Sequence, residues 1–247
     1  MDYSLIVPYF KTPEITRLCL YSIFKFARGK PEVLVVDNAP GSTESGMLRE
    51  FKKIRVVENP GAPRGSAGNF HALDRGLAQA GHDLVGLLHS DTVFLKEGWD
   101  LECFGRLEKE NLAALGTFER EANPFDGNRL RDWWRGLRHR PRPGAGSRGK
   151  LMLYFLLTRR STLERLGHRF LGAEHIRVDR FAGAGRPVEV LGAAEMGRLL
   201  WHTSNITSLL TGQMGDPAQM ARYREKRREL LADERIRELF GPVLPRD

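Results

Sequence analysis

The chain has 247 residues, 41% hydrophobic and 28% charged, with a formal net charge of +8; this is ordinary globular composition, which excludes a low-complexity chain and favours one domain with a large core. No run approaches the roughly 18 apolar residues of a membrane span, and MDYSLIVPYF lacks the basic start and long apolar run of a signal peptide, so a cytoplasmic protein is expected. The positive charge favours anionic partners without choosing among phosphates, lipid headgroups and nucleic acid.

In chain order, residues 4–8 (SLIVP) and 32–37 (EVLVVD) are short β-branched runs ending at turn residues, and they read as buried parallel strands. Between them Thr12 is placed to cap a helix with Pro13 at its first position and Ile15, Leu18, Cys19 and Ser22 on one face, closed by Gly29. The alternation repeats with a helix near 42–52, a strand at 54–58, a helix at 66–80, a strand at 84–88 (LVGLL), a helix from 97 to about 109 and a strand near 112–117. Such regularity predicts a parallel sheet covered by helices on both faces.

The period breaks over 119–149, a stretch rich in arginine, proline and glycine that holds Trp133 and Trp134. A segment of that length reads as a lid or acceptor-binding loop, or as a disordered basic loop. Apolar runs resume at 151–158 (LMLYFLLT) and 188–191 (VEVL), and a charged amphipathic helix is expected over 217–240, whose basic stretch RYREKRR reads as a solvated face ahead of a binding surface. Cys19 and Cys103 sit in amphipathic stretches and read as buried small hydrophobes without chemistry.

In open α/β sheets ligands gather beyond the carboxyl ends of the strands. Strand one ends in Pro8-Tyr9, strand two in Asp37-Asn38, and the strand at 84–88 in His89-Ser90-Asp91. Asp37 is suited to accept a hydrogen bond from a ribose hydroxyl or a base N–H, although an Asp-Asn pair also starts turns. NPGAPRGSAGN, residues 59–69, is a glycine-rich turn feeding a helix, where backbone N–H groups and Arg64 suit a phosphate. It has neither a Walker pattern nor GxGxxG, which disfavours a P-loop NTPase or a dinucleotide oxidoreductase. His89 and Asp91, two residues apart, point the same way and suit a shared divalent cation; equally, Asp91 suits a turn cap and His89 a core histidine.

Taken together, SLIVPYF, VLVVDNAPGS, NPGAPRGSAGNFHALDRGL and LVGLLHSDTVFLKEGW, in that order and spacing, resemble the inverting family 2 glycosyltransferases of the GT-A fold, over Ser4 to about Asn205. The resemblance implies a Rossmann-like, mostly parallel sheet sandwiched by helices: a GT-A domain over 1–215 and a helical extension over 216–247. Within the domain, 1–118 would be the nucleotide-binding half, 119–150 the irregular loop and 151–215 the acceptor half. By position, Pro8, Tyr9, Asp37 and Asn38 would lie at the nucleoside, and Arg64, Gly68 and Asn69 by the diphosphate. The family's Asp-x-Asp motif falls on His89, Ser90 and Asp91, with Ser90 beside the nucleotide, Asp91 as the direct ligand of Mn²⁺ or Mg²⁺, and His89 in place of the first aspartate.

FLLTRRSTLERLGHRFLGAEHIRVDRFAGAGRPVEVL is similar to the stretch that carries the family's catalytic base, which would be Glu174 or His175, and His202 would be a third metal ligand. The implied activity is hexosyl transfer from a nucleotide-diphospho-sugar with inversion. The sequence does not identify the acceptor; its basic charge suits one that carries phosphate or is lipid-linked, with a peripheral site at the inner membrane face. Two rivals stand beside it, a non-catalytic relative that binds nucleotide or glycan and a sugar nucleotidyltransferase. The latter is disfavoured because Tyr9-Phe10-Lys11-Thr12 replaces the glycine- and arginine-rich signature expected after strand one. No helix-turn-helix, zinc-ligand or RNP-like pattern supports nucleic-acid binding.

Overall fold

A computed structural model describes residues 1–119, 122, 149–172, 176–202 and 221. The expectations for Trp133, Trp134, Glu174, His175 and, apart from residue 221, the extension over 216–247 lie outside these residues. Strand β1 (Asp2–Tyr9) is paired in parallel along its length with β2 (Lys30–Asp37), from Asp2↔Lys30 to Tyr9↔Asp37. β3 (Ile54–Glu58) flanks β2 in parallel, and β4 (Leu84–Leu88) pairs in parallel with the other side of β1. Beyond β4 come β7 (Phe155–Arg159), β6 (Ala114–Thr117) and β8 (Val188–Leu191), which complete a seven-stranded sheet in the order β3-β2-β1-β4-β7-β6-β8. A separate antiparallel ribbon joins β5 (Thr92–Phe94) to β9 (Leu200–His202).

The expected parallel sheet holds with one correction. β7 runs antiparallel to both β4 and β6, while β6 and β8 are parallel. The run LMLYFLLT does not reveal this, because a strand buried on both faces shows the same continuous apolar pattern in either direction.

Strict alternation along the strands divides the core. Leu5, Val7, Tyr9, Val33 and Val35 face α1 (Pro13–Phe26) and α3 (Trp99–Lys109), while Ile6, Leu34 and Val36 face α2 (Ser66–Leu77). Short helices α4 (Arg160–Arg165) and α5 (Val178–Ala182) add Leu163 and Phe181 to the second side, and α6 (Ala193–Leu199) adds Met196 and Leu199 to the first. The result is the expected α/β sandwich. Both cysteines are buried, free thiols, as read from the sequence. No described helix is long and apolar enough to cross a membrane.

Local signals were weaker at the helix ends. Thr12 occupies the cap position of α1, but its hydroxyl faces Thr16 Oγ1 at 3.4 Å and makes no cap bond; Pro13 alone marks the start. The helix ends at Phe26, before Gly29. Gly29 serves a close approach instead, since a Cβ there would lie 2.9 Å from Asp100 Oδ2. That buried carboxylate accepts from Tyr3 Oη at 2.7 Å and from the N–H groups of Arg28 and Gly29, so it fastens the α1–β2 turn to β1 and to the first turn of α3. The helix expected near 42–52 is a 3₁₀ segment, Thr43–Glu50, in which Ser45 and Gly46 give poor support to an α-helix.

Candidate active site at the carboxyl edge of the sheet

From β1 the chain moves outward to β2 and β3, then returns to the opposite side of β1 as β4. Strand order therefore reverses between β1 and β4, which is where open α/β sheets leave a ligand crevice beyond the strand ends. The register aligns Tyr9 with Asp37 and Asp37 with Glu58, so the predicted strand-end residues gather at this edge.

Asp37 is buried, and its Oδ1 accepts from Ala39 N at 2.9 Å, so it shapes its own turn. Asn38 donates from Nδ2 to Gly68 O at 3.4 Å and accepts at Oδ1 from Asn59 Nδ2 at 2.7 Å. These bonds tie the ends of β2 and β3 to the first turn of α2. Pro8 and Tyr9 are buried, and the Tyr9 hydroxyl donates to Glu44 O at 2.8 Å. Tyr9 is thus fully enclosed, its backbone carbonyl also accepting from Asn38 N at 3.0 Å, and it supports the strand edge from beneath. Burial above all, with the charges of Asp37 and Glu44, raises the Tyr9 pKa beyond the ordinary phenol range.

The glycine-rich turn has three positions that favour glycine, the first of them Gly61 at φ +72°. Gly65 takes φ +69° at the cap of α2, and a Cβ on Gly68 would stand 2.3 Å from Pro63 O. No side chain caps the first turn of α2, and Arg64 is exposed beside it. This is the geometry in which a helix amino end receives an anion.

On the other side of β1, β4 ends in a turn closed by Thr92 N donating to His89 O, with Ser90 buried inside it. The ribbon then brings a distant residue to this turn: Thr92 stands opposite His202 in the β5–β9 register. His202 Nε2 lies 3.3 Å and His89 Nδ1 3.9 Å from the same atom, Asp91 Oδ1. That oxygen is buried and has no aligned hydrogen-bond donor. Burial works against the charge on Asp91, but the pull of His202 and then of His89 outweighs it and holds the carboxyl below its ordinary value. Among the described residues these three form the one group suited to a metal ion, with donor atoms within 4.8 Å of one another. An ionised, buried oxygen lacking an aligned donor and flanked by two imidazoles fits a divalent cation.

Two contributors, Tyr154 and Asp74, had no clear sequence signal, and a third, Asn59, had one that went unassigned. Tyr154 stacks on His202 at a 3.7 Å centroid distance and a 6° interplanar angle, which fixes that imidazole. Asn59, which follows β3, was within reach of the strand-end rule that located Asp37. Asp74, in α2, accepts the N–H groups of Phe170 and Leu171, each at 2.9 Å, and so fixes the chain just before 173–175. A carboxylate in mid-helix gives no such hint.

The fold is similar to that of the mannosyltransferase PcManGT from Pyrobaculum calidifontis, solved with GDP-Man and Mn²⁺. The two are 22% identical, with a TM-score of 0.58 over 78% of this chain and 55% of that one. It is also similar to TarS of S. aureus, residues 1–349, solved with UDP, at 16% identity and a TM-score of 0.54 over 85% of this chain and 63% of that one. A TarS structure with UDP-GlcNAc aligns at 16% identity and a TM-score of 0.53, over 83% and 59% of the respective chains. The chain thus spans little more than half the length of these proteins. No curated protein matches its sequence significantly. The sequence model of the family described as glycosyl transferase family 2 matches residues 4–171, more than half of the chain, and with the sheet order and strand-end site described above, the protein belongs to that family.

Proposed function

We propose that the protein transfers a hexosyl group from a nucleotide-diphospho-sugar to an acceptor hydroxyl, with inversion by a single displacement. The observation that carries this reading is the convergence of His89, Asp91 and His202 at the switch between β1 and β4, facing the glycine-rich start of α2. The neighbours solved with GDP-Man and Mn²⁺ and with UDP-GlcNAc support it.

In this reading Asp37 and Asn38 bind the nucleoside, with Pro8 and Tyr9 forming the floor and Ser90 the far wall. The uncapped N–H groups of α2, whose first turn packs against the Pro63 carbonyl at Gly68, and the Arg64 guanidinium orient the diphosphate. Asn69 stands between that helix end and His89. Asp91, His89 and His202 hold Mn²⁺ or Mg²⁺, which when bound stabilises charge on the leaving diphosphate. Glu174 or His175 takes the acceptor proton; the acceptor oxygen bonds to the anomeric carbon as the bond from that carbon to the diphosphate oxygen breaks, and the diphosphate leaves with the electron pair. The division at 118, 150 and 215 then separates donor half, acceptor loop, acceptor half and extension. The excess positive charge suits a phosphate-bearing or lipid-linked acceptor at the inner face of a membrane.

A thermal-shift panel of UDP, GDP, dTDP, CDP and ADP, with and without Mn²⁺, tests the reading on wild type and Asp91→Asn. One nucleotide, at about 100 times its Kd, is expected to stabilise the fold by about 2.7 kcal/mol. Mn²⁺ should enlarge the shift in the wild type alone. No shift with any of the five would remove the donor site and leave a protein that binds no nucleotide diphosphate.

A further inference from the structure

The composition of the cation site, given the reading above, says which cations it takes. Of its three donors, one is a carboxylate and two are imidazoles. Mg²⁺ and Ca²⁺ seek oxygen donors, and Mg²⁺ gives up its waters reluctantly. Imidazole nitrogen favours first-row transition ions, with affinity rising from Mn²⁺ through Co²⁺.

Both imidazoles are held in place. His202 is fixed by its stack on Tyr154 and by exchange of both backbone bonds with Ala122, His202 N to Ala122 O at 2.7 Å and Ala122 N to His202 O at 3.3 Å. His89 presents Nδ1 toward Asp91 while its Nε2 lies 3.2 Å from the Asn69 side-chain amide. An amide offers both a donor and an acceptor, so Asn69 can orient its oxygen to the Nε2 proton when Nδ1 is a ligand. Outer partners of this kind ordinarily fix a ligating histidine. Two nitrogens on separate parts of the chain are thereby aimed at one carboxylate oxygen.

We propose that His89 is the cation-selecting residue of this site: together with His202 it makes the Asp91 centre nitrogen-rich, so that it takes Mn²⁺ and Co²⁺ ahead of Mg²⁺ and Ca²⁺. A carboxylate at position 89 would reverse the balance of donors and admit Mg²⁺.

The test is calorimetric titration of Co²⁺, Mn²⁺ and Mg²⁺ into the nucleotide-free protein, wild type and His89→Asp, with the visible spectrum of bound Co²⁺ as a second readout. The wild type should bind in the order Co²⁺, Mn²⁺, Mg²⁺, with Co²⁺ preferred over Mg²⁺ by about tenfold or more. His89→Asp should lower that ratio by weakening Co²⁺ and strengthening Mg²⁺, and it should change the Co²⁺ spectrum. The His89 side chain is 31% exposed, so the exchange need not disturb the core, and the wild-type ratio needs no variant at all. Equal binding of Mg²⁺ and Co²⁺ by the wild type, a ratio unchanged in the variant, or no cation binding overturns the proposal. The transferase reading is tested separately by the nucleotide panel in metal-free buffer. Nucleotide binding without cation selectivity sinks this inference alone, and selectivity without nucleotide binding sinks the transferase reading alone.

Discussion

Glu32 shows how one carboxylate at the end of the sheet opposite the site fastens three strands. Ser4 Oγ donates to its Oε2 at 2.6 Å, Gly81 N donates to the same oxygen at 2.7 Å, and Arg55 pairs with Oε1 at 3.1 Å. Burial alone would raise its pKa, but the bonds from Ser4 and Gly81, with Arg55 and His82 nearby, outweigh it and the pKa is lowered. A depressed folded value means that the stabilisation is present above the unfolded pKa of about 4.3 and disappears as pH falls through the folded value. Glu32→Gln is therefore expected to cost about 1–2 kcal/mol at neutral pH, with the gap to wild type closing in acid; urea unfolding at stepped pH measures it, and a gap independent of pH would show that packing, not charge, is at stake. At this scale the sequence was informative where a residue's role follows from its place at a strand end, as for Asp37 and Asp91. It was silent where the role depends on what the fold brings alongside. Glu32 is one such case, and Asp74 and Tyr154 are others.

Among the elements, α2 serves both the site and the core. Its amino end carries Gly68 and Asn69 at the crevice, while at its other end Gly76 lets the helix rest on the sheet: an added Cβ would come within 2.4 Å of Ile6 Cγ2 and 3.2 Å of Val36 Cγ2. Alanine improves helix propensity by about 1 kcal/mol, whereas forcing a methyl against two β-branched side chains costs about 1–3 kcal/mol. Gly76→Ala should therefore lose up to about 2 kcal/mol, a fall of roughly 2–4 °C in Tm per kcal/mol for a chain of this size. Gly105→Ala in α3, where an added Cβ meets nothing within 4 Å, should raise the Tm instead. The pair separates close packing from propensity, and a gain in both would show that the helix can lift off the sheet. Strand positions were legible because β-branched runs bounded by turns leave little choice, and the helices between them followed. Strand direction was not legible for β7, and the 3₁₀ character of Thr43–Glu50 escaped a pattern based on apolar spacing.

Across the whole molecule, the cation site joins parts of the chain that are far apart in sequence. His89 and Asp91 follow β4, while His202 closes β9, and the two are linked by a ribbon of only three residue pairs and by Leu95 N donating to Leu199 O at 2.9 Å. So short a ribbon is a weak clasp by itself, because two-stranded pairings have little independent stability. A cation bridging Asp91 and His202 would add a third fastening, and binding free energy spent on the closed form must suppress local opening. Mn²⁺ is accordingly expected to slow amide exchange at 92–95 and at 200–202 together, while the edge strand β3, which touches neither part, changes only with global stability. His202→Ala should abolish the coupled protection. Protection confined to 92–95 would mean that the cation rests on His89 and Asp91 without drawing in β9, and the site would then belong to the first half of the chain alone.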